Sequence, residues 1–334
     1  MNITMAHGAG GETTERLITE IFMSAFQNKE LLRSGDCALL PGAERIAVTT
    51  DSFVVQPVIY PGGDIGRLSV CGTVNDLLAG GAEPKYLTAG FILETGLELN
   101  TLKLIADSMA ETAREAGVMI VAGDTKVIGG KGGLMINTAG FGIVPEGREI
   151  GPEMCRPGDA LLISGTLGDH HAAILGKRMG IKNDIVSDNA PLREMVETLF
   201  VNGIRVHAMR DVTRGGLATI LNELAKSSKV CFELEEKALP VSESVHSFAG
   251  LLGLDPLYMG NEGRMLFSVD EADAEKALEL IRKSRYGENA ARIGGAAETH
   301  GYGTASAPSV ILKTLIGGRR ILKALVGEGL PRIC

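Results

Sequence analysis

Six carboxylates in this 334-residue sequence stand beside glycine or at the ends of apolar runs: Asp51, Asp64, Asp76, Asp124, Asp211 and Glu262. Carboxylates that converge repel one another unless they share a cation, and Mg²⁺ takes hard oxygen ligands while keeping positions open for water and phosphate. The set therefore points to a metal–nucleotide site. Each acid alone has a plainer explanation, helix capping or turn formation. Lys126, two residues after Asp124, and Arg214, ahead of Gly215-Gly216, either meet phosphate oxygens or sit as solvated loop charges. The last residue is a cysteine, Cys334, on the segment 327–334, Gly-Glu-Gly-Leu-Pro-Arg-Ile-Cys. Fully extended, eight residues span roughly 27 Å, with glycines giving freedom at the base and Pro331 stiffening the tip. We expect a swinging arm whose thiol is handed between sites.

Glycine-rich punctuation shows what must position these groups. The 44 glycines gather at 7–11, 61–63, 129–133 and 214–216. Ile46-Ala47-Val48 leads to Asp51, and Val118 to Val121 lead to Asp124 and Lys126, so both read as buried strands that deliver a carboxylate. Helices are expected over 66–78 and 99–116. A second series follows: a strand over 160–164, helices over 171–179 and 192–202, and a loop at Asp211. Leu217, Ile220, Leu221 and Leu224 then show the spacing of a helix with one buried face, and Val310-Ile311-Leu312 offers one more strand. The expected division is 1–150, 151–320 and a tail, 321–334.

Composition narrows the function. The balance of 33 basic against 41 acidic residues gives a net charge of −8, and no basic block offers a nucleic-acid surface. No leader and no apolar run approaching 18 residues is seen, so a cytoplasmic protein without a membrane partner is expected. The five cysteines, Cys37, Cys71, Cys155, Cys231 and Cys334, are odd in number, far apart and free of CxxC pairs. They read as reduced thiols rather than a disulfide framework or zinc site. GxxxxGK[ST] is missing and 7–13 lacks the last glycine of GxGxxG, which disfavours P-loop and Rossmann proteins.

The blocks Thr49-Thr50-Asp51-Ser52, Pro61-Gly62-Gly63-Asp64-Ile65-Gly66, Gly72-Thr73-Val74-Asn75-Asp76, Gly123-Asp124-Thr125-Lys126-Val127, Arg210-Asp211-Val212-Thr213-Arg214-Gly215-Gly216, Gly260-Asn261-Glu262-Gly263-Arg264 and Pro331-Arg332-Ile333-Cys334 together resemble the HypE family of hydrogenase maturation proteins. Most would suit the wider superfamily of aminoimidazole ribonucleotide synthetases and selenophosphate synthetases; the Pro-Arg-Ile-Cys ending is the specific part. The resemblance implies an α/β (α+β) protein: an N-terminal domain that forms a β-barrel across a homodimer, a C-terminal α+β domain and a flexible tail. It implies ATP and Mg²⁺, with Asp51, Asp76 and Asp124 on the metal and Asn75, Lys126 and Asn261 completing the nucleotide site. It further implies that Cys334 is carbamoylated by the carbamoyltransferase HypF and dehydrated to a thiocyanate, whose cyanide goes to iron on a HypC–HypD scaffold. Glu262 is the expected base, with Lys126 as the second possibility. Two rival readings are a synthetase of the same superfamily acting on a free substrate, which leaves Cys334 unexplained, and a non-catalytic thiol carrier, which leaves the acids unexplained.

Overall fold

In a computed structural model the described residues are 2–9, 12–31, 37–38, 40–298 and 308–325. The stretch 301–307 and Cys334 with its arm, 327–334, lie outside them. The first half runs through α1 (Glu12–Leu17), a π-helical stretch Ile18–Met23, α2 (Ser24–Phe26), β1 (Ile46–Phe53), β2 (Ile59–Tyr60), β3 (Gly63–Asp64), α3 (Ile65–Ala79), β4 (Glu83–Glu94), α4 (Leu99–Glu115), β5 (Met119–Ile128) and β6 (Leu134–Ile143). Its main sheet has the order β1-β6-β4-β5, and only β4 and β5 run parallel. In β1 and β6 burial alternates residue by residue, because only one face of the sheet is covered. Phe53 faces inward and is buried, whereas Ile46 and Val48 are exposed. β1 is thus half-buried and not the fully buried strand that its apolar run suggests.

α3 covers that inner face. It is apolar almost all round, with Leu68, Val70, Val74 and Leu78 fully buried, as suits a helix enclosed on both sides. Its start is fixed by Asp64, whose carboxylate accepts from the backbone N–H groups of Gly66 at 2.7 Å and Arg67 at 3.0 Å. This acid is a helix cap and does not belong to the site.

The second half comprises β7 (Ala160–Ile163), α5 (Asp169–Met179), α6 (Arg193–Val201), β8 (Val206–Asp211), α7 (Gly216–Ser228), β9 (Cys231–Glu235), α8 (Glu243–Leu252), β10 (Met265–Val269), α9 (Ala274–Lys283), β11 (Ala291–Ala297), β12 (Val310–Lys313) and β13 (Arg319–Leu322). These strands form one sheet, β13-β12-β9-β11-β7-β10-β8, antiparallel except between β12 and β9. α7 packs on one face through Leu217, Ile220, Leu221 and Leu224. On the other face, Leu162 and Phe267 join a core that continues through Ile281 of α9 into Leu68, Val74 and Ile105 of the first half. The two halves therefore share apolar packing. Polar bonds reinforce it: the Arg67 guanidinium donates from Nε to the Asn189 carbonyl at 2.9 Å, from Nη1 to Glu115 at 3.0 Å and from Nη2 to the Tyr286 hydroxyl at 3.2 Å. Among the described residues no helix is long and apolar enough to cross a membrane.

Candidate active site

Four acids gather where α3, β1, the end of β8 and the loop before β10 meet. Asp51 lies on the α3 side of β1, and a methyl group at Gly72 would stand 3.8 Å from its Oδ2. Asp76, one turn further along α3, accepts a hydrogen bond from Thr49 Oγ1 at 2.9 Å. Burial raises the pKa of both, and Asp51 adds to the rise at Asp76. Asp211 is pushed up to about 7 by burial and by the Asp76 carboxylate. Glu262, 4 % exposed, is driven well above the usual carboxylate range by burial and then by Asp211 and Asp188. Arg214 lowers the cost at Asp51, and Arg210 at Asp76 and Asp211, but burial still leaves all four acids raised.

A hard divalent cation suits that electrostatic need, and the donor set is all oxygen. Among the described residues no three His, Cys, Asp or Glu side chains close into a ready-made metal cage. This accords with Mg²⁺ bound by one or two carboxylates, with its other positions left to water and phosphate.

Asp124 and Lys126 are not brought to these acids within one chain. The register places Asp51 opposite Thr138, Thr138 opposite Ala89 and Ala89 opposite Gly123. Asp124 is therefore three strands away, roughly 14 Å, and by alternation on the other face of the sheet. It forms an exposed ion pair with Lys126 Nζ at 2.8 Å, and that bond holds its carboxyl below the ordinary range. Within one chain, then, strand order separates Asp124 from Asp51 and Asp76, and Asp211 is the acid whose charge couples to Asp76 and Asp51. Residues 123–126 instead rim a cavity of about 310 Å³ walled by Ile18, Phe22, Phe26 and Phe91.

The two asparagines expected on the nucleotide are also differently employed. Asn75 is buried; its amide donates to the Ala190 carbonyl at 3.0 Å and the Glu262 carbonyl at 3.5 Å, and its oxygen accepts from Leu192 N at 3.0 Å. Asn261, wholly buried, accepts from Gly168 N at 2.7 Å and donates to the carbonyls of Val212 and Met259. Both amides are spent on the protein itself.

The loop carrying Glu262 is tightly specified. Its backbone N–H donates to Asp188 Oδ1 at 3.0 Å, Arg264 Nε lies 3.3 Å from Asp188 Oδ2, and a side chain on Gly263 would strike the Asp188 carbonyl at 1.9 Å. Only glycine fits there. Asp188 went unremarked in the sequence because it lies in the irregular stretch 181–192, whose polar composition reads as ordinary loop. Asp211 carried a signal, as an acid ahead of a glycine pair, but nothing local distinguished it from Asp124.

The models for the N-terminal and C-terminal domains of AIR synthase related proteins match residues 34–144 and 156–305. A carbamoyl dehydratase HypE from Rhodobacter capsulatus is 45 % identical over 339 residues, covering 99 % of this chain and 98 % of that relative. Among solved structures, a hydrogenase maturation protein HypE in complex with ATP superposes with a TM-score of 0.95 at 45 % identity, over 99 % of both chains. A HypE–HypF complex matches at 0.79 and 44 % identity, over 92 % of this chain and 99 % of that one. With both domain models in chain order, and relatives this similar along their whole length, the chain belongs to the HypE family of carbamoyl dehydratases.

Proposed function

We propose that this protein dehydrates an S-carbamoyl group on its own Cys334 to a thiocyanate at the expense of ATP. The observation that carries this is the cluster of Asp51, Asp76, Asp211 and Glu262, half-buried or buried, whose carboxyls burial and mutual repulsion push upward, in a chain whose HypE neighbour was solved with ATP. The amide oxygen is a poor leaving group until it is phosphorylated. It attacks the γ-phosphorus of ATP and ADP departs; loss of the nitrogen protons then drives cleavage of the C–O bond, giving R–S–C≡N and phosphate. One or two of Asp51, Asp76 and Asp211 would hold Mg²⁺, which supplies charge neutralisation for the transferring phosphoryl group. Glu262, buried beside Asp211 and Asp188, is the base. Tethering the substrate gives it a high effective concentration.

Asp124 and Lys126 enter this reading from a second copy of the chain. The uncovered face of the β1-β6-β4-β5 sheet carries exposed Ile46, Val48 and Ile92, and a homodimer closing a barrel would bury them. That packing would set Asp124 and Lys126 at the seam between the copies. The carbamoyl donor would be a HypF partner, in line with the HypE–HypF neighbour, and the cyanide acceptor an iron-bearing HypC–HypD scaffold. Intact mass spectrometry tests the reaction: incubation with the carbamoyltransferase, carbamoyl phosphate and ATP should give a carbamoyl adduct and then loss of one water. An adduct that never loses water would refute it.

A further inference from the structure

We infer that Asn75 and Asn261 are positioning residues that fix Glu262 against Asp76 and Asp211, and that neither touches the nucleotide; the inference rests on Glu262 being the base. Each asparagine directly precedes one of the acids. Asp76 follows Asn75 on α3, so the side chain that reaches the Ala190 and Glu262 carbonyls and the Leu192 N–H ties the metal-side helix to the loop bearing Glu262. Glu262 follows Asn261, whose backbone N–H and side-chain amide both donate to the Val212 carbonyl, at 2.9 and 3.1 Å, and Val212 directly follows Asp211. Val212 in turn donates its N–H to the Arg264 carbonyl at 2.8 Å. The bonds form a continuous buried chain from Asp76 through Asn75, Glu262, Asn261 and Val212 to Asp211.

No water competes along that path: Asn75 is 2 % exposed and Asn261 not at all. The side chains of Asn75 and Asn261 make six hydrogen bonds, three each, all to backbone groups. Asp188 holds the Glu262 N–H from the opposite side, so the loop is clamped between two partners. Amides serve here because a carboxylate at either position would add charge to a cluster already crowded with it.

The test uses the full-length, carbamoylated protein, with the single-turnover rate of water loss measured against ATP concentration. Asn75→Ala should slow the rate at saturating ATP by about tenfold or more, because Glu262 is released from its place, while half-saturating ATP stays within about threefold. A tenfold rise in half-saturating ATP with an unchanged maximal rate would make Asn75 a nucleotide contact and overturn the inference, as would unchanged kinetics throughout. If Asn75→Ala does not fold, Asn75→Ser keeps one donor and should show the same split with a smaller loss. Combined with Glu262→Gln, Asn75→Ala should add less than about twofold; a full multiplicative loss would mean that Asn75 does not act through Glu262. Glu262→Gln at full speed overturns the reading of the base and this inference with it. Glu262→Gln inactive beside fully active Asn75→Ala overturns the inference alone.

Discussion

Asp211 ends a strand of the second half and Asp76 sits on a helix of the first, yet the Asp76 carboxylate is close enough to help push Asp211 up to about 7. The repulsion crosses the junction between the halves. It is a cost that the bare protein bears and that a bound cation would relieve.

Stability should register that cost. Below the ordinary carboxylate pKa, near 4, folded and unfolded chains both hold the proton and Asp211 is neutral. Between about 4 and about 7 the unfolded chain releases it first, so the folded state loses stability as pH rises. Asp211→Asn, free of metal and nucleotide, should therefore melt a few °C above the parent at pH 8, with the gap closing toward pH 4. Equal melting temperatures at pH 8 would show that Asp211 bears no such burden.

Asp76→Asn should cut ATP-dependent dehydration by about a hundredfold or more, since it removes a charge from the phosphoryl-transfer site. The fold should persist, because Thr49 can still donate to the amide oxygen at that position. Single-turnover rates beside circular dichroism check both halves of the statement.

The placement of Lys126 on the opposite face and edge from Asp51 predicts complementation between copies. Lys126→Ala and Asp76→Asn should each be inactive alone, and dimers reassembled from the two should recover roughly a quarter of the sites, from random pairing of two-fold assemblies. Sedimentation at micromolar concentration should show a dimer beforehand; a monomer would sink the proposal. Zero recovery from verified mixed dimers would confine the site to one chain.

Cys334→Ala should yield neither the carbamoyl adduct nor the thiocyanate and leave ATP affinity within about twofold, because the thiol is the attachment point and no part of the phosphate cradle. Peptide mapping decides: an adduct on Cys37, Cys71, Cys155 or Cys231 would displace the arm from the mechanism.

How much of this was legible in the sequence depended on range. α7 could be read because the spacing of Leu217, Ile220, Leu221 and Leu224 is a local consequence of helical pitch, and all four are buried. Asp51, Asp76 and Glu262 were likewise visible as acids in glycine-flanked motifs. The separation of Asp124 from them within one chain was not, because it follows from the order β1-β6-β4-β5, a pairing among segments up to about a hundred residues apart on which local pattern is silent. Nor could sequence separate the task of Asn75 from that of Asp76 beside it. On a helix, adjacent side chains diverge by about 100°, and only the neighbours on each side reveal that one faces the cluster while the other is spent on backbone.

Arg67 lies in the first half, yet it bonds at once to the second-half Asn189 carbonyl and Tyr286 hydroxyl and to Glu115 of its own half. Such a hub makes the halves thermodynamically inseparable. Neither can melt without losing the Arg67 bonds across the junction and the apolar core the halves share, so calorimetry should trace a single endotherm where a chain matched by two domain models invites two.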